Sequence, residues 1–197
     1  MLRFVELLWK LLLLLAHRRV VDGYEVRVVR SASDRDEVFE KVRDALLLLE
    51  KHGPRFRARL SRDVNRIFVT DMWGGSYVAG LKTCCISIDF VRSASALDLA
   101  MTIVHEATHA RLSRLGFSYN KECRERLERL CVGAEIAFAG RVPGSEANIR
   151  KAQALLEKEW WTPDNYADAT VAELRERGVP AWLTSIVRRV GARRKVG

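Results

Sequence analysis

The chain has 197 residues, 48% hydrophobic and 30% charged, which is enough apolar side chain for one buried core and too much for a disordered segment. A formal net charge of +9 admits nucleic acid, an anionic membrane face or an acidic partner, but the excess is arginine scattered over helical faces. A solvated basic surface therefore ranks ahead of a nucleic-acid interface, and nucleic acid is not the expected partner.

Cysteine usage narrows the class further. The sequence has no C-x-x-C pair, which excludes a zinc ribbon. Cys84 and Cys85 are adjacent, so a bridge between them would be badly strained. Cys123 and Cys131 lie too far apart along one helical stretch to bond each other. A reducing, cytoplasmic compartment is expected.

The first stretch, MLRFVELLWKLLLLLAHRRV, puts Arg3, Glu6, Lys10 and His17 on one stripe of a helix. It is too short and too charged to span a bilayer, and no small-residue cleavage site follows it. Residues 1–20 are expected to form an amphipathic helix covering the core or a partner chain. Membrane-surface contact through residues 1–19, with a peripheral position, is the second reading.

Beyond it, Tyr24 to Val29 alternates as a strand. Ser33 is the expected N-cap of a helix from about Asp34 to Lys51, which Gly53-Pro54 stops. The basic run RFRARLSRDVNR predicts a short amphipathic helix. Its cluster of Lys51, Arg55, Arg57, Arg59, Arg62 and Arg66 reads as a solvated face before it reads as a phosphate grip. IFVT (Ile67 to Thr70) predicts a strand, Gly74-Gly75 a turn, and CCISIDF (Cys84 to Phe90) a second strand.

Ser95-x-x-Asp98 then has the form of a capping box opening a helix that Gly116 ends. A further helix is expected from about Asn120 to Ala139, and another from Ser145 to Trp161. Helices starting near Thr162-Pro163, Thr170 and Pro180 fill the remainder, ahead of a basic tail.

The central helix carries the chemistry. His105-Glu106-Ala107-Thr108-His109 has the spacing H-E-x-x-H, and residues four apart on a helix point the same way. Leu99, Ala100, Ile103, Val104, Ala107 and Ala110 cluster on the opposite side as an apolar back. Two imidazoles thus converge on one external point, with Glu106 one step round, placed to act on water without ligating. Zn2+ is the expected ion, and it wants a third protein ligand.

No histidine follows His109, so the third ligand is expected to be a carboxylate of the next helix. In a hairpin of the two helices, His109 lies about 10 Å from the turn and Glu128 about 12 Å. Glu122 and Glu125 are too near the turn. Glu135 shares Glu128's face about two turns deeper, as the alternative third ligand or as a hydrogen-bond partner of a ligand histidine. Cys131 faces nearly the same way and reads as a small core residue before it reads as a neighbour of the zinc.

His105-Glu106-Ala107-Thr108-His109, followed after eighteen residues by Glu128, resembles the gluzincin group of zincin-type zinc metallopeptidases. Thr102, Ile103, Ala107, Thr108 and Ala110 suit the extended zincin pattern, whereas Arg111 stands where a hydrophobic residue is usual. The resemblance covers about Ser95 to Gly140 and no specific family over the rest of the chain. It implies hydrolysis of a peptide bond in a peptide or protein substrate by a zinc-activated water, with Glu106 as general base. It also implies an oxyanion-steadying side chain, for which Tyr119 is the first candidate and Tyr77 the second. A strand beside the helix would pair with the substrate, and CCISIDF is the candidate edge.

The expected fold is α+β: a mainly helical, minimal zincin-like arrangement with a small sheet packed on the H-E-x-x-H helix. Residues 21–143 form the catalytic core, and residues 144–197 form a helical extension of the same domain. The rival reading is a non-catalytic, zinc-stabilised binding module at a membrane surface or on nucleic acid.

Overall fold

A computed structural model describes residues 11–29, 31–71, 75–120, 122–158 and 171. It has five strands: β1 (His17–Val21), β2 (Tyr24–Val28), β3 (Arg66–Thr70), β4 (Gly75–Val78) and β5 (Thr83–Ser87). The helices that follow β2 are α1 (Arg35–His52), α2 (Pro54–Asp63), α3 (Ile88–Ser93), α4 (Ala96–Arg114), α5 (Arg124–Ala139) and α6 (Glu146–Glu157). The class is α+β and mainly helical, as expected.

The strands form one mixed sheet in the order β1-β2-β3-β5-β4. β2, β3 and β5 run parallel, while β1 and β4 close the two ends as antiparallel edges. Asp22 (φ 48°) and Gly23 (φ 73°) join β1 to β2, and two successive positive φ values give the twist a two-residue hairpin needs. The interior strands are covered on both sides. Val26, Val28, Ile67, Val69, Cys84 and Ile86 join the main core beneath the helices, while Phe68 and Cys85 pack with Leu13 on the reverse face. That is why β5 is buried along its whole length and its sequence shows no polar alternation.

α4 is the central helix, packed against α1, α2, α5 and the β4–β5 edge of the sheet. Its apolar back is the predicted one, with Leu99, Ala100, Ile103, Val104, Ala107 and Ala110 all buried. Ser95 caps it: Asp98 N donates to Ser95 Oγ at 3.1 Å. The reciprocal bond departs from a capping box, because the Ser95 hydroxyl donates to the Asp98 carboxylate at 2.6 Å. No described helix is long and apolar enough to cross a membrane.

Several sequence expectations need correction. The helix expected over residues 1–20 gives way to β1 at His17, because Arg18 to Val21 pair with β2 in the hairpin; residues 1–10 lie outside the described residues. Ser33 does not cap α1. Asp34 holds that position, with its carboxylate taken by Arg92 at 2.7 and 2.8 Å. CCISIDF is a strand only to Ser87, and Ile88 to Phe90 begin α3. Gly75 starts β4, a strand that the sequence pattern does not announce. α5 starts at Arg124, with the Asn120 side chain accepting from Cys123 N at 2.9 Å just ahead of it. The helices expected from Thr162, Thr170 and Pro180, and the Trp160-Trp161 pair, lie outside the described residues, apart from Val171.

The basic cluster is largely engaged by its own fold. Arg57 donates to Asp22 O and lies over the Tyr24 ring, Arg66 pairs with Glu25, and Arg62 pairs with Asp63. Arg59 lies over Phe56.

Candidate metal centre

A cleft of about 1110 Å³ runs along the front of α4. Its walls come from β4, the loop after α4, and the facing sides of α5 and α6. His105, Glu106, His109, Tyr119, Glu128 and Glu135 all line it.

Helical spacing brings the two histidines together. Their Nε2 atoms are 3.1 Å apart and their ring centroids 4.9 Å. Glu128, from the facing helix α5, meets both of them. Its Oε2 lies 3.2 Å from His105 Nε2 and its Oε1 3.5 Å from His109 Nε2. Donors held tetrahedrally at about 2.0 Å from one ion lie about 3.3 Å from each other. The two imidazoles and the carboxylate, each oxygen facing one ring, are therefore close enough to share one cation. Glu106 Oε2, beside them, is a buried oxygen without a hydrogen-bond partner among the described residues.

Glu135 acts on His105 from behind. His105 Nδ1 bonds Glu135 Oε1, and since an ionised carboxylate only accepts, Nδ1 carries the proton. The ring is thereby oriented with Nε2 toward Glu128. Tyr119 donates its hydroxyl to Glu128 Oε1, and its ring meets His109 edge-on at 5.3 Å. The hydroxyl expected at an oxyanion thus sits on the carboxylate beside the His pair. Tyr77 lies on β4 and lines the same cleft, and burial raises its pKa.

The electrostatics of the group follow from burial and crowding. Burial disfavours a charged His105, yet the Glu128 and Glu135 carboxylates outweigh it and hold the imidazole up at about 10. Burial would likewise raise Glu128, but the two imidazoles and the Tyr119 hydroxyl prevail and hold it well below the usual carboxylate range. Glu106 moves the other way. It is 4% exposed, and burial, reinforced by Glu128 and Glu135, pushes its pKa up against the attraction of the imidazoles.

Two features take their place at the site only in the structure. Gly75 abuts Glu106, and a Cβ there would lie 2.7 Å from Glu106 Oε1 and 3.2 Å from Thr102 Cγ2. A side chain at position 75 would push the Glu106 carboxylate from where it lies. The signal is the glycine itself, which reads as a turn but marks a close approach in a strand. The second is Cys131. The ligand-capable atoms of His105, His109 and Cys131 all lie within 4.8 Å of one another, a group able to hold a metal ion. The sequence signal is the spacing Glu128, Cys131, Glu135, a single stripe of α5.

The expected substrate-pairing edge is also corrected. β5, the CCISIDF strand, is bonded on both sides, by β3 and β4, and has no open edge. The outer edge beside α4 belongs to β4.

No known protein family, curated protein or solved structure matches this chain.

Proposed function

We propose that this protein is a zinc-dependent metallopeptidase whose His105, His109 and Glu128 hold the ion and whose Glu106 is the general base. The convergence of the two Nε2 atoms, 3.1 Å apart, on the two oxygens of Glu128 at 3.2 and 3.5 Å carries the reading. When bound, zinc supplies Lewis acidity toward a carbonyl oxygen and toward water.

The remaining work belongs to the chain. Glu106 Oε2, buried and unpaired, is available to take a proton from the attacking water and to return it to the leaving amine nitrogen. A carboxylate with a raised pKa suits both transfers better than one of ordinary acidity. Glu135 keeps His105 in one tautomer, and Tyr119 keeps Glu128 in place. The outer edge of β4, unpaired among the described strands, supports an extended peptide by strand addition, laid along the cleft across the front of α4.

The test is Glu106→Gln beside the wild type, read by zinc content and by turnover of a fluorogenic peptide library. One zinc per chain in both proteins, with turnover only in the wild type, is the expected outcome. Removing a general base costs about 100- to 10,000-fold. Zinc in both with no turnover in either would favour the non-catalytic zinc module. No zinc in either would end the metal reading.

A further inference from the structure

Three residues of α5 form one stripe toward the His pair: Glu128, Cys131 and Glu135, spaced at i, i+3 and i+7. The outer two have partners there. Glu128 meets both Nε2 atoms, and Glu135 binds His105 Nδ1. Between them, the Cys131 sulfur is fully buried, in no disulfide, and within 4.8 Å of ligand atoms on both histidines. Around a tetrahedral ion with bonds of about 2.0 Å to nitrogen and 2.3 Å to sulfur, those atoms sit about 3.5 Å apart. The thiol therefore lies at most about 1.3 Å beyond that spacing, a shift within reach of a side-chain rotation.

We propose that Cys131 is a fourth protein donor of this centre, completing a set of two imidazoles, one carboxylate and one thiolate for a thiophilic divalent cation. The inference rests on the reading of His105 and His109 as metal ligands. Coordination replaces the S–H proton, which leaves to solvent, with a metal–sulfur bond, and no oxidant or reductant is involved. A thiolate selects zinc, cobalt or cadmium over magnesium, calcium and manganese. Four protein donors also close a tetrahedral site, so turnover requires one to withdraw. Glu128 is held by Tyr119, which leaves the thiol as the donor that yields to substrate. The resting centre is then latent.

Cobalt loading of the full chain tests this without a substrate. Wild type should bind one Co2+ and show sulfur-to-cobalt charge-transfer absorption in the near ultraviolet. Cys131→Ser should bind Co2+ and lose that band, while Cys123→Ser keeps it. One bound Co2+ with no such band in the wild type overturns the proposal and leaves the metallopeptidase reading standing. A band that survives Cys131→Ser also overturns it, since another cysteine then supplies the sulfur. Failure to bind either Co2+ or Zn2+ removes both readings. Should Cys131→Ser not fold, X-ray absorption at the zinc edge of the wild type decides: one scatterer at about 2.3 Å supports the thiolate, and only nitrogen and oxygen at about 2.0 Å overturns it.

Discussion

Gly75 and Glu106 meet across the β4–α4 contact, where any Cβ on Gly75 would lie 2.7 Å from Glu106 Oε1. The strand thus sets the position of the carboxylate from outside the helix that carries it. Gly75→Ala is expected to displace Glu106 and leave the His pair untouched. A shift of an ångström at a reacting group costs about 100-fold in turnover. Zinc content should stay at the wild-type level, so the paired measurement is peptide turnover against bound zinc. Unchanged turnover would mean that Glu106 tolerates the shift and is not the base.

Glu128 and Glu135 occupy the same stripe but do different work. Glu128→Ala removes a carboxylate from both Nε2 atoms and should weaken zinc binding more than the loss of an outer partner does. Glu135→Ala removes only the partner of His105 Nδ1, and losing such an outer partner weakens metal binding about 10- to 100-fold. Zinc titration against a competing chelator separates the two. The reverse order would move the third ligand to Glu135.

Tyr119 offers a similar distinction. Its hydroxyl bonds Glu128 Oε1, so Tyr119→Phe should loosen zinc by about 10-fold. Turnover at saturating zinc should recover most of its wild-type value. A large loss of turnover with unchanged zinc affinity would return the hydroxyl to the oxyanion role.

Away from the cleft, Asp63 joins the end of α2 to the last turn of α4. It is 3% exposed, and its carboxylate takes Arg62 at 3.0 Å and Arg114 at 2.6 Å. Burial would raise its pKa, but the two guanidinium groups prevail and hold it below the ordinary range. A depressed folded value stabilises the protein above about pH 4 and is lost as pH falls through it. Asp63→Asn should therefore lower Tm by about 5 °C at pH 7, a modest loss because both arginines are half exposed. The gap to wild type should close below about pH 4. A pH-independent gap would assign the effect to packing and not to charge.

What the sequence alone determined is mostly local. H-E-x-x-H placed two imidazoles together because four residues are about one helical turn. Ser95 and Asp98 marked the start of α4, and Gly53-Pro54 marked the boundary of α1, because capping and proline chemistry act within a few residues. Glu128 and Glu135 were legible as one face of α5 because helical spacing is constant, whereas depth counted from the turn was not, since residues 115–123 separate α4 from α5.

The tertiary structure decided whatever depends on which element lies beside which. β5 looked like an edge because a buried strand and a half-buried one differ by neighbours, and its neighbours β3 and β4 are set by sheet order. β1 resembled the continuation of a helix because its apolar and basic residues suit either period until β2 pairs with it. The contact of Gly75 with Glu106 joins a strand to a helix, and the nearness of Cys131 to the His pair joins two helices. Neither separation along the chain carries a periodic signal. Side-chain direction repeats within an element, but the distance between elements is set only when the core closes.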